Sequence, residues 1–136
     1  MTRSARPTQG PRPLIVDGAN VVGSRPDGWW RDRPAAARRL LESLASGREA
    51  LAAAGLDPVV LVLEGAARAG AAADATGQIV VVHAAGSGDD QIVAQCGERS
   101  PGPVVVTADR ALAQRVRAEQ ADVMRPSELM ALLAAT

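Results

Sequence analysis

The sequence predicts an α/β fold, a three-layer sandwich around a mostly parallel sheet of four to five strands. Three observations predict it: short Val, Leu and Ile runs that are nearly continuous, helical patterns between them, and acids that recur where the runs end. A strand covered on both faces has no polar side to show, so a sheet held between two helical layers is written as continuous apolar runs. Alternating strands and helices then make right-handed crossovers, and so largely parallel strands, the expected topology.

Residues 1–12, MTRSARPTQGPR, mix Pro, Gly, Ser, Thr and Arg without apolar periodicity and read as a disordered basic leader before a domain over 13–136. Leu14–Asp17 reads as the first strand. One long amphipathic helix is expected over 34–54, with Leu40, Leu44 and Leu51 on one face and Gly55 as its stop. Strands follow at Val59–Glu64 and Ile79–His83, separated by an alanine-rich short helix or turn at Ala66–Ala73. Asp89–Arg99 and Arg110–Gln120 are helices with acids at their starts, flanking a strand at Val104–Thr107. A weaker strand at Asp122–Met124 leads to a last helix through Leu133, with Ser127 as its cap.

A chain of 136 residues suits one domain, since two would each be short of core. Phe and Tyr are absent and Trp occurs twice, so Leu, Val, Ile and Ala must fill the interior. The 15 basic residues, all Arg, balance 15 acidic ones, and bulk charge therefore predicts no polyanion partner. Arg3, Arg6 and Arg12 nevertheless make a basic arm ahead of a mildly acidic body. Cys96 is the only cysteine, which excludes an internal disulfide and reads as a buried, inert thiol; the lone His83 offers it no complete nucleophilic triad. With no signal-peptide pattern and no apolar run of membrane length, the expected setting is the cytoplasm, without a membrane partner.

Chemistry is expected from the acids. Asp17 ends the first strand in LIVDGAN, with Gly18 after it for a sharp turn and Asn20 three residues on. Glu64 ends VVLVLEG, Asp109 follows VVVTA and opens a helix, and Asp89 and Asp90 open the helix after Gly86-Ser87-Gly88. In one parallel sheet these groups would meet beyond the carboxyl ends of the strands, where such folds bind ligands. Like charges so gathered need a cation, and an all-oxygen set with no Cys or His cluster favours Mg²⁺ or Mn²⁺ over zinc. A first ion would polarise a phosphoryl oxygen and activate a water, and a second about 4 Å away would steady the leaving oxygen.

Structural readings compete with this one. Asp109 is a good N-cap, and Ser87 with Asp90 makes a capping-box pattern, so both could serve helix ends alone. Asp17 and Glu64 show no capping role, and an acid ending a buried strand is costly to desolvate, which favours function there. No Gly-x-Ser-x-Gly motif is present, and no Lys follows Gly88 to make a phosphate loop.

LIVDGANVV, VLVLEG, GSGDDQIV and VVVTADRAL, in that order across residues 13–130, resemble the PIN-like nuclease superfamily, and within it the NYN branch that includes the YacP-like proteins. The resemblance implies a Rossmann-like or flavodoxin-like sheet and a metal-dependent ribonuclease. It implies Asp17 as leading metal ligand, with Asn20 orienting that acid or the substrate and Glu64 as the second-strand acid. Asp89, with Asp90 beside it, matches the acid of the middle helix, and Asp109, preceded by Thr107, the acid after the fourth strand. Together these make Asp17, Glu64, Asp89 and Asp109 the catalytic candidates. Glu64 departs from the Asp common in relatives, and Ala111 stands where some carry a further acid, which counts against a full two-metal site. Nucleotide pyrophosphohydrolase, a label given to some similar proteins, and an inactive RNA-binding or protein-binding module are the alternatives.

After Asn20 comes VVGSRPDGWWRDRP, in which Arg25, Arg31 and Arg33 surround Trp29 and Trp30. Arg binds phosphate in a fork and indole stacks on unpaired bases, so this loop is the candidate grip on RNA, single-stranded or structured. Against this, a Trp could simply cover the sheet end where no Phe or Tyr is available, and Asp32 reads as an ion-pair or helix-start acid. The alanine-rich segment Ala66–Ala75 is the candidate surface for a homodimer.

Overall fold

The structure, a computed structural model, describes residues 10–99 and 102–135. Its sheet is built from β1 (Arg12–Asp17), β2 (Leu56–Leu63), β3 (Ile79–His83), β4 (Val104–Val106) and β5 (Asp122–Met124). All four pairings are parallel, in the order β3-β2-β1-β4-β5. The strands alternate in the direction of their side chains even though their central positions are continuously apolar. Leu14, Val16, Leu61, Leu63 and Val106 enter one core, and Ile15, Val60, Val62 and Val105 the other.

The first core is closed by helices α2 (Arg33–Ser46), α3 (Arg48–Ala53) and α6 (Pro126–Ala134), through Leu40, Leu44, Leu51 and Leu129. The second is closed by α4 (Gly88–Glu98) and α5 (Arg110–Ala118), through Ile92, Cys96, Leu112 and Val116. This is the three-layer α/β sandwich expected, with five parallel strands. Each fully buried Leu or Val contributes about 1.5–3 kcal/mol.

Four local expectations need correction. Arg12 opens β1 and does not belong to a loose leader: its N–H donates to the Gly55 carbonyl at 2.8 Å and its guanidinium pairs with Asp122 at 2.8 Å. Residues 1–9 of the expected leader lie outside the described residues. The long helix over 34–54 is two helices parted at Gly47, where a Cβ would run into the Leu133 side chain of α6. Ser127 does not cap the last helix, which begins at Pro126 with Glu128 accepting from the Arg125 N–H at 3.1 Å. A short helix, α1 (Gly18–Gly23), also stands where only a turn was expected, burying Val21.

The strand order fixes where a ligand can enter. From β1 the chain proceeds outward through β2 and β3, and it then returns to place β4 and β5 on the other side of β1. The crossovers part between β1 and β4, which opens a crevice at their carboxyl ends, the general ligand position of open α/β sheets.

Candidate active site

Asp17 is the last residue of β1 and is buried at this crevice. Val16 and Val106 are partners in the β1–β4 register, so the next residues, Asp17 and Thr107, lie side by side. The Thr107 hydroxyl donates to Oδ2 of Asp17 at 3.0 Å and accepts from the Asp109 N–H at 3.1 Å. The Asn20 N–H donates to Oδ1 of Asp17 at 3.2 Å, so Asp17 does have a capping role, at the start of α1. Asn20 in turn uses its Oδ1 to accept from the Ala108 N–H at 2.8 Å. α1 is thereby tied to the loop after β4, with Asp17 held between them.

Glu64 follows β2, with its Oε1 accepting from the Gly88 N–H at 2.5 Å at the first residue of α4. Glycine at 88 leaves room for this contact, because an added Cβ would displace the Glu64 carboxylate. Ser87 caps α4 by accepting from the Asp90 N–H at 3.1 Å. Asp89 therefore projects from the first turn of α4, and Asp109 caps α5 by accepting from the Leu112 N–H at 3.1 Å.

The four acids share one electrostatic neighbourhood. Burial raises the pKa of Asp17 above its ordinary value, against the lowering effect of the Asn20 and Thr107 hydrogen bonds, and the charges of Asp89 and Glu64 raise it further. Burial also raises that of Asp89, with Asp109 and Glu64 adding to the effect and Arg115 opposing it. No described Arg forms a salt bridge with Asp17, Glu64, Asp89 or Asp109. Carboxylate oxygens gathered without an ion-pair partner are the chemistry a hard divalent cation takes. Among the described residues no three Asp, Glu, His or Cys side chains gather tightly enough to enclose an ion. The fit is therefore to an ion that keeps most of its waters and takes one or two carboxylates, as Mg²⁺ commonly does.

Other candidates fall elsewhere. Asp90 turns to α5, where Oδ1 accepts from Arg115 at 2.9 Å. Arg25 lines a separate groove with Arg39, Glu42 and Met130, between α2 and α6. Asp32 caps α2, accepting from the Ala35 N–H at 3.0 Å. Trp29 and Trp30 meet edge to face with ring centres 6.0 Å apart, Arg33 lies over Trp29 at 5.3 Å and Arg31 over Trp30 at 5.7 Å. Trp30 is 56% exposed, whereas half-buried Trp29 lines, with Arg33, a recess of about 170 Å³ that Glu64 also lines. Gly88 was not anticipated as a site residue, since only the chain path shows that its N–H meets Glu64. Ala19, Val22 and Ala67, which line the recess, carry no chemical signal of their own.

Cys96 is buried, and burial pushes its thiol up to about 11, the inert state expected. His83 lies 2.7 Å through Nε2 from the Ala71 carbonyl, so it serves the fold. Ala67 and Ala71 of the alanine-rich segment pack on the core, and Gly70 is pressed against the backbone of Pro34. Among the described residues no helix is long and apolar enough to cross a membrane.

Comparison with protein-family models gives no match, and comparison with curated protein sequences gives none either. Comparison with solved structures finds Rae1 (YacP) from Bacillus subtilis, crystallised as a single-substitution variant, with a TM-score of 0.68. The likeness spans 90% of this chain and 74% of that one at 16% sequence identity. The chain has the fold of Rae1 (YacP), an α/β/α sandwich consistent with the PIN-like architecture that its four motifs resemble.

Proposed function

We propose that the chain is a metal-dependent ribonuclease that hydrolyses phosphodiester bonds at the crevice between β1 and β4. One observation carries the reading: Asp17 is a buried carboxylate at the switch point of the sheet, pushed toward protonation by burial and by the charges of Asp89 and Glu64. The cap at α1 and the Thr107 hydrogen bond offset only part of the cost of burying this carboxylate, and perturbed acids of this kind mark functional sites. The likeness to Rae1 (YacP) and the resemblance to the NYN branch of PIN-like nucleases support the same reading at the level of the fold.

In this mechanism Asp17, with one of Glu64, Asp89 or Asp109, would hold Mg²⁺ or Mn²⁺ directly and the remaining acids would reach it through its waters; the ion when bound supplies a polarised phosphoryl oxygen and a water of lowered pKa. Thr107 and the Asn20 N–H orient Asp17, and Gly88 orients Glu64, so both carboxylates enter the reaction already positioned. Asp109 keeps one oxygen on the Leu112 N–H. Asp90 is assigned to the Arg115 pair and left out of the metal set.

The test is cleavage of single-stranded RNA with Mn²⁺ or Mg²⁺ by the natural chain and by Asp17→Asn. The reading expects metal-dependent cleavage that falls by roughly 10²-fold or more in the variant, the scale of losing one preorganised electrostatic group. Equal cleavage by both proteins would remove Asp17 from the mechanism. Turnover of free nucleoside triphosphates with RNA left intact would favour the nucleotide hydrolase. A second reading, an RNA-binding module without hydrolysis, draws on the open geometry of the acids and on Ala111.

A further inference from the structure

The recess beside Glu64 is unlike the acidic crevice in its chemistry. Its walls are Gly18, Ala19, Val22, Leu63 and Ala67, all apolar or small, and its polar groups are the Arg33 guanidinium and the Glu64 carboxylate, with Trp29 as the one aromatic wall. The two sites are joined: Glu64 belongs to both, and Gly18 follows Asp17 directly in the chain. Arg33 lies over the Trp29 ring at 5.3 Å, so the guanidinium covers one face of the indole and places positive charge beside the aromatic wall. Trp29 lies beside Gly23, where an added Cβ would come within 3.8 Å of its ring, and meets Trp30 edge to face.

From this juxtaposition we infer that the recess is a subsite for one unpaired nucleobase of an RNA strand, next to the phosphate held at Asp17. The inference rests on the ribonuclease reading and adds to it a substrate class, single-stranded RNA. Flat aromatic and guanidinium surfaces stack on bases, and a base can reach them only when it has left its own stack. The recess, at about 170 Å³, is a hollow for one ring system and not a groove for a helix. Arg33 adds positive charge where the flanking phosphate would lie, offsetting the acids nearby. Trp30, which does not line the recess, is left outside this role.

The test measures binding without cleavage, using fluorescence anisotropy of a short labelled oligoadenylate in EDTA. Trp29→Ala is expected to weaken binding by roughly 5- to 150-fold, the loss of one stacked base, while Trp30→Ala changes it far less. Ala19→Leu, which fills the recess from its exposed lip, is expected to weaken binding similarly in a protein whose core is untouched. The same sequence as a duplex should bind weakly to all of them. Natural-strength binding by both Trp29→Ala and Ala19→Leu would overturn the subsite, as would duplex binding as tight as single-strand binding. A free mononucleotide that competes as well as the strand would also overturn it. Failure of the ribonuclease reading is seen separately, as the absence of metal-dependent RNA cleavage by the natural chain.

Discussion

The Thr107 hydroxyl donates to Oδ2 of Asp17 at 3.0 Å, joining residues 90 positions apart across the seam where the strand order turns. Through its second role, as acceptor for the Asp109 N–H, the same oxygen connects the ends of β1 and β4 to the start of α5. With the Asn20 N–H on its other oxygen, the buried carboxylate is thus fixed in direction by two donors before any ligand arrives.

Thr107→Val should therefore cost stability as well as geometry. It leaves Oδ2 of Asp17 and the Asp109 N–H without their partner, a loss of about 1–3 kcal/mol for each buried polar group. Thr107→Ser keeps the hydroxyl and should recover most of it. Urea unfolding of the three proteins checks this, and a Val variant as stable as the natural chain would count against the network.

Asp17→Asn should unfold at higher urea than the natural chain at pH 7. The carboxyl's folded pKa lies above its ordinary 3.8, mainly through burial. For such a group, stability is fully present below the unfolded value and is lost as pH rises through the folded one. The amide escapes that loss, so its advantage should appear at neutral pH and vanish below pH 3.8. Urea midpoints measured across this range test the sign, and a variant weaker at pH 7 than at pH 3 relative to the natural chain would reverse it.

Gly88→Ala should damage the site with little harm to the fold. The added methyl needs the space of the Glu64 carboxylate, which must swing away and give up its hydrogen bond to α4. RNA cleavage should fall together with Mn²⁺ affinity in calorimetry, and a variant matching the natural chain in both would free Glu64 from its assigned role.

Cys96 should resist a thiol reagent in the native protein at pH 8. Burial removes access, and a pKa near 11 leaves little thiolate. Titration in denaturant should reveal one full equivalent, whereas fast native labelling would show that the α4 side of the core opens readily.

The sheet was legible because its strands are short apolar runs bounded by acids and glycines, and Asp17 stood out as a charge at the end of LIV. The Ser87 and Asp109 caps were equally plain, since capping depends on neighbours in sequence. The break at Gly47 was not, because its cause is a Leu133 side chain 86 positions away occupying the space of a Cβ. The helix at Gly18–Gly23 was hidden for a related reason: GANVVG has poor intrinsic helix propensity and forms through the Asp17 cap and the burial of Val21. The partnership of Asp17 with Thr107, and the sorting of Trp29 from Trp30, depend on strand order and loop path, which local pattern does not encode.

Anomalous scattering from a crystal soaked in Mn²⁺ bears most directly on the central assignment. The ribonuclease reading expects a peak against the Asp17 carboxylate, with at least one of Glu64, Asp89 or Asp109 reached directly or through a bound water. A peak confined to other acids, or no peak near Asp17 at Mn²⁺ concentrations that saturate cleavage, would contradict it.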